Sequence, residues 1–208
     1  MSKVKTDAIE TRAGGTSVLT IGTATQTIKL PGGTPGADKV LTSDAVGGAT
    51  WAAAGGGKIL QVIQTAKTDT DSTTSTSFVD MAGMTVSITP SATTSKVLVF
   101  VDLNVNSGDL WMINMRLLRD STPIFIGDQA GSNRARSTFV HRIKDSQSYL
   151  NFAGQFLDSP STTSATTYKM QWAEESGATA TLNIADAGSD SFKYGTTSST
   201  ITVMEVGA

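Results

Sequence analysis

From Lys58 onward, apolar and polar residues alternate with a period of two, the pattern of strands that bury one face. The longest stripe is Val97, Val99, Val101, Leu103 and Val105. Its opposite side starts apolar, at Leu98 and Phe100, and turns polar at Asp102, Asn104 and Asn106. One end of this strand therefore needs cover on both faces. Met84, Val86 and Ile88 form a shorter stripe that Pro90 ends. Tyr168, Met170 and Trp172 alternate with Thr167, Lys169 and Gln171, and Leu182 and Ile184 with Thr181 and Asn183. Leu150, Phe152 and Phe156 share a side within 148–157, and a strand over 200–206 closes the chain. The composition of 110–118 admits a helix. The turn Asp120-Ser121 into Pro123-Ile-Phe-Ile126 favours a strand hairpin there. Eight or more short strands with turn signals between them predict a sandwich or jelly roll.

Residues 1–57 read differently. Short β-prone pieces, 17–21, 26–30 and 39–42, are separated by Ala13-Gly14-Gly15, by Pro31-Gly32-Gly33-Thr34-Pro35-Gly36 and by Gly47-Gly48. Glycine supplies positive φ and proline fixes φ, so these are breaks in any regular element. Each piece has two or three large apolar residues, too few to offset the entropy of ordering it. The segment is expected to be an extended β arm, ordered by packing on partner chains, with 52–57 as the linker to a second domain at 58–208. The fold class predicted is thus all-β: an extended N-terminal arm followed by a jelly-roll β-sandwich.

Composition narrows the function. Charged residues are 16% of the chain, against roughly 25% in soluble domains. Thr, Ser, Ala and Gly replace them and suit strands and close subunit contact. The net charge of −2 argues against non-specific nucleic-acid binding, which needs a basic footprint. There is no cysteine, so disulfides and thiolate metal sites are excluded. No stretch approaches the roughly 20 apolar residues of a membrane helix, and the first residues form no secretory signal. Membrane insertion is not expected, and synthesis in a cytoplasm is.

Candidate chemistry is sparse. Gly55-Gly-Gly-Lys58 has Ile59 where a phosphate loop needs Ser or Thr, and Ala52 where it needs its first Gly. His141 is the only histidine, so a triad or a histidine metal site would rest on it alone. It alternates with Phe139 and Ile143 on one side of a strand, as a core-edge or interface residue would. Asp69-Thr-Asp71 could hold a weak cation, yet it lacks the Gly and closing Glu of a calcium loop; a solvated loop is the favoured reading. No catalytic residue, metal or cofactor is assigned, and the chain is expected not to be an enzyme. Arg134, Arg136, Arg142 and Lys144 form the densest basic cluster. The favoured reading is local pairing with Asp128 and Asp145. The alternative is contact with anionic cell-surface polymers, a host glycan among them. Tyr149, Trp111 and Trp172 are candidates for a sugar-stacking platform, with core packing expected for Trp172 and Trp111.

Two stretches carry a resemblance. Ala37-Asp-Lys-Val-Leu-Thr-Ser-Asp-Ala-Val-Gly-Gly-Ala-Thr-Trp51 resembles a segment of phage tail-fibre and related virion proteins: a short strand, a Ser-Asp turn, a Gly-rich turn and a Trp. The stretches 87–99, 157–168 and 199–204 resemble C1q/TNF-like jelly-roll modules of phage virion proteins. The resemblance implies a homotrimer in a virion, made in a host cytoplasm, with the jelly roll outward and residues 1–57 joined to other virion proteins. It carries no binding motif. The function it implies is a fibre-type appendage contributing to host attachment. The alternative is a capsid decoration protein whose arm grips the capsid lattice. A secreted ligand of the same fold ranks last, for want of a signal segment, cysteines or an Asn-x-Ser/Thr sequon. Leu98 and Phe100 are the residues expected at the trimer interface, with Val97 and Val99 in the subunit core. Far-UV circular dichroism is expected to show less than about a fifth helix, below the usual share of about a third.

Overall fold

The computed structural model describes residues 39–43, 49–53, 58–107, 111–142, 149–185 and 189–208. Among them every regular element is a strand, thirteen in all. The chain divides into two units, Met1–Gly55 and Gly56–Ala208. In the first, β1 (Lys39–Ser43) and β2 (Ala49–Ala53) pair as an antiparallel hairpin that sets Leu41 opposite Trp51 and Val40 opposite Ala52. The part of the expected arm that can be described is therefore paired, not singly extended. Residues 52 and 53, expected in a linker, belong to β2. The β-prone pieces at 17–21 and 26–30 lie outside the described residues.

The second unit is an all-β sandwich. Its strands are β3 (Ile59–Lys67), β4 (Asp71–Thr73), β5 (Val79–Ile88), β6 (Lys96–Ser107), β7 (Met112–Arg119), β8 (Thr122–Ile124), β9 (Phe139–Arg142), β10 (Leu150–Asp158), β11 (Thr166–Glu174), β12 (Ala180–Leu182) and β13 (Ser199–Val206). The first sheet runs β3–β13–β6–β10. Short β12 follows β13 along the same edge of β6, and β4 pairs with β12. The second sheet runs β5–β11–β7, and β8 and β9 share the far edge of β7. All pairings are antiparallel, and the chain repeatedly crosses from one sheet to the other, which is the jelly-roll arrangement.

The period-two stripes become the core. Val97, Val99, Val101, Leu103 and Val105 of β6 are buried to within 5% exposure, facing Tyr168, Met170 and Trp172 of β11 and Ile113, Met115 and Leu117 of β7. The segment 110–118 resolves as a strand from Met112, as the following turn required. Asp120 at φ 53° makes that two-residue turn, and its carboxylate accepts the Thr167 N–H at 2.9 Å. The β8 strand stops at Ile124 because Phe125 turns left-handed at φ 52°, so Phe125 and Ile126 fall outside it. In β5 the alternation slips: Met81 and Met84 are both buried, with Gly83 at φ +76° in the bulge between them. The expected alternation through Ile184 ends at Leu182, since Asn183 adopts φ 64°.

At one open side of the sandwich, Gln61 and Thr65 of β3 donate to the carbonyls of Thr89 and Thr85 at 2.7 and 2.8 Å. Aromatic rings close the other side. Phe125 stacks on Phe156 at 5.1 Å, and Phe139 packs at 5.8 Å from Phe152. Gly154 lies beneath Phe139, where an added Cβ would come within 2.7 Å of the ring. The start of β3 and the end of β13 meet at one end, where the Gly207 N–H donates to the Lys58 carbonyl at 2.7 Å. We call this the root end. Its turns are 89–95, 120–121 and 159–165; the ends of β3, β6, β9 and β11 and the starts of β5, β7 and β10 lie at the far end.

Buried polar groups pin the connections. Asn183, fully buried, donates its amide to the carbonyls of Lys67 and Asp69 at 2.9 and 3.0 Å and accepts from the Ser199 hydroxyl at 2.6 Å. The buried Tyr168 hydroxyl donates to Asp158 at 2.7 Å, and Arg119 pairs with the same carboxylate at 2.9 Å. Burial and that carboxylate push the Tyr168 hydroxyl pKa well up. Glu205, 1% exposed, accepts from the Ser91 N–H and hydroxyl at 2.7 and 2.6 Å and from Gln61 at 2.6 Å. Burial alone would raise its pKa, but the hydrogen bonds from Ser91, Gln61 and Ser95 outweigh it and hold the group at about 2. Its contribution to stability is therefore present above the ordinary glutamate range and lost as pH falls toward 2. Denaturant titrations between pH 6 and pH 2.5 should show the wild type losing stability; in Glu205→Gln, which lacks on the order of 2–3 kcal/mol at neutral pH, the slope should be shallower. Equal slopes would refute the assignment.

Candidate functional site

Because β6 buries one stripe, the other must point away from the core. Register then places side chains from four strands in rows across the outer surface of the first sheet. Met204 lies opposite both Val62 and Leu98, and Leu98 lies opposite Leu157. This row is apolar from edge to edge: Val62 is 54% exposed and Leu157 47%, with Leu98 and Met204 half-buried. Leu60, 49% exposed, and half-buried Val206 extend it toward the root end. The next row is Gln64, Thr202, Phe100 and Gln155, in which Gln64 donates to the Thr202 hydroxyl at 2.7 Å. Beyond it come Ala66, Thr200, Asp102 and Ala153, with Asn151 donating to Asp102. A hollow of about 500 Å³ is lined by Phe100, Asp102, Ala153, Gln155 and Thr200. Apart from Lys96 beside Val206 at the root edge, the surface thus grades from apolar to polar toward the far end.

The outer surface of the second sheet is built differently. Asp80 accepts from Lys169 and Gln171, each at 2.7 Å, and Gln171 accepts from Arg116 at 2.7 and 2.9 Å. Hydrogen bonds from Lys169 and Gln171 hold the Asp80 carboxyl below its ordinary pKa. Burial lowers that of Arg116, whose guanidinium lies 3.9 Å from the centre of the Phe78 ring. Ser87 and Thr167 share a hydrogen bond at 2.8 Å. This side is a ladder of satisfied polar groups suited to water. An aliphatic side chain taken from water into a protein contact contributes roughly 1–2 kcal/mol, so the first sheet's apolar row is where cover stabilises most.

The structure brings Leu98 and Phe100 onto this one surface, half-buried, while Val97 and Val99 are fully buried in the core. Sequence reading missed Val62, Leu157 and Met204, which join them only through register. The signal available was the run Ile59-Leu-Gln-Val-Ile63, apolar on both sides of a strand. Of the basic cluster, Arg134 and Arg136 line one cleft on the second sheet together with Asp128; Arg142 is at the end of β9, and Lys144 lies outside the described residues. The expected pairing with Asp128 is not found among the described residues, whose ion pairs are Lys67–Asp69, Arg119–Asp158 and Lys169–Asp80, and Asp145 lies outside them. Arg136 instead donates to the Gly127 carbonyl at 2.7 Å, which holds the loop between β8 and β9.

The remaining candidates disperse. Asp69 pairs with Lys67 at 2.9 Å, while Asp71 accepts the N–H groups of Ser72 and Ala82 at 2.9 and 2.8 Å, so the two carboxylates serve separate contacts. His141 sits at the sandwich edge, 5.9 Å from Phe152 in an edge-on contact. Lys58 donates to the Ala208 carbonyl at 2.6 Å. Trp172 is buried, but Trp111 is 44% exposed, against expectation. It precedes β7, so the alternation that buries Ile113 and Met115 does not reach it. Half-buried Tyr149 donates to the Gly195 carbonyl. With Trp172 in the core, the three rings form no common platform. No protein-family model matches the chain, and no curated protein matches it.

Proposed function

We propose that the chain is a non-enzymatic structural subunit of a virion, acting as a homotrimer in a fibre-type appendage that contributes to host attachment. The observation that carries the reading is the apolar row Val62–Met204–Leu98–Leu157 on the outer surface of the first sheet. A second copy covers such a row without bringing like charges together, because the row contains none. Closed threefold symmetry also leaves no open-ended contact. The virion assignment is supported by the resemblance of 37–51 and of the later stretches to virion proteins, and residues 1–57 are then the segment that meets other virion proteins.

Native mass spectrometry of the full chain should return a trimer. Phe100→Asp should yield monomers or aggregates, because burying an unpaired carboxylate costs several kcal/mol even after local relaxation. Thr85→Asp, exposed on the opposite outer surface, should leave the trimer intact. A monomer from the unsubstituted chain would sink the proposal. A density map of the whole particle decides its place: contact with tail proteins fits a fibre, and contact with the shell would make the protein a capsid decoration.

A further inference from the structure

A cleft of about 630 Å³ opens on the outer surface of the second sheet, toward the far end. This volume falls within the ~300–1,000 Å³ usual for ligand sites. Asn114 of β7 and Ala173 of β11 line it, with Phe78 from the β4–β5 connection and Asp128, Asn133 and Arg134 from the β8–β9 loop. Arg136, Glu174 and Glu175 are bonded within the fold, but three polar groups here are not. Among the described residues, the Arg134 guanidinium, the Asn133 amide and the Asp128 carboxylate make no hydrogen bond or ion pair; only the Arg134 carbonyl is engaged, by Gln129 at 3.2 Å. Asn114 accepts from the Ser137 hydroxyl at 3.0 Å, which leaves its NH₂ free to donate. Phe78 is held by Arg116, itself fixed on Gln171. The loop carrying the polar groups is fixed in turn by Arg136 on the Gly127 carbonyl.

We infer that this cleft binds an uncharged saccharide. Charge decides the class: Arg134 and Arg136 share the cleft with Asp128, Glu174 and Glu175, and Glu174, 1% exposed, is already bonded to the Ser176 and Ala178 N–H groups, so two guanidinium groups face the two remaining carboxylates. An anionic polymer would meet two carboxylates, and a cationic peptide two guanidinium groups. Vicinal hydroxyls both donate and accept, so one sugar can give to Asp128 while it receives from Arg134, Asn133 and Asn114. The Phe78 ring offers an apolar surface for the C–H side of a pyranose. The cleft lies on the sheet opposite the apolar row, so covering that row leaves it open. The inference deepens the attachment reading by naming its ligand class. It rests on that reading for its biological role only, since the cleft lies within one chain.

The test uses the full chain on an array of neutral hexose and N-acetylhexosamine oligosaccharides, with heparin and dextran sulfate as anionic probes. The best binder is then titrated calorimetrically in low and high salt. A neutral oligosaccharide should bind with an affinity that salt barely changes, since no ion pair is screened. Asp128→Ala, at an exposed position, should weaken binding about tenfold, the value of one such contact, and Phe78→Ala by at least as much. Preferred binding of the sulfated polymers, strengthened by Asp128→Ala, overturns the inference, as does an array without a bound saccharide. Native masses of the same samples keep the two readings apart. A monomer that binds sugar fails the assembly reading alone, and a trimer that binds none fails the cleft alone.

Discussion

A strand that alternates with period two can turn only one side inward, and β6 is the strand on which this restriction bears hardest. It is paired along both edges, to β10 on one and to β13 and then β12 on the other. It supplies five fully or nearly fully buried residues to the space between the sheets. Once Val97 and Val99 are committed there, Leu98 and Phe100 have no place inside the subunit. Their neighbours in register are fixed by the same ladders, so the composition of the outer surface follows from the way the core is filled.

The two outer surfaces therefore carry different chemistry for one structural reason. On the second sheet, Asp80, Gln171, Lys169 and Arg116 satisfy one another across three strands, and such a surface gains little from exclusion of water. On the first sheet, the Val62–Met204–Leu98–Leu157 row is apolar, with Lys96 at the root edge, and hydroxyl and amide groups take over from the Thr202 row onward. The polar groups buried within the subunit have another task. Glu205 and Asp158 each accept from two separate elements, and Asn183 donates to two carbonyls while it accepts from Ser199. They fix where loops begin while the apolar residues supply the driving force.

Much of the sandwich was legible because its strands are half-buried, so their stripes are written in the residue order. The limits are local and physical. Trp111 sits one residue before β7, and composition near a strand does not reveal where its ladder starts. Ile184 continued an apolar alternation that the left-handed Asn183 had already ended, held by contacts to Lys67 and Asp69 more than a hundred positions away. The apolar surface was half legible. Leu98 and Phe100 stand out within their own strand, but Val62, Leu157 and Met204 become their neighbours only when three separate pairings are known. The hairpin of β1 and β2 shows the opposite case, a short segment whose pairing partner lies within fourteen residues.

The meeting of Lys58 and Gly207 at the root end also sets how the subunit carries mechanical load. Strand β3 runs from the root to the far end, hydrogen-bonded along its length to β13. A pull between Lys58 and a far-end connection acts along the strand axis, at right angles to those bonds. The ladder is then loaded in shear, and many bonds must yield together. A pull between Lys58 and Gly207 would instead peel the same ladder open one pair at a time. The sandwich is accordingly strong in the direction from its root to its far end and weak across the root.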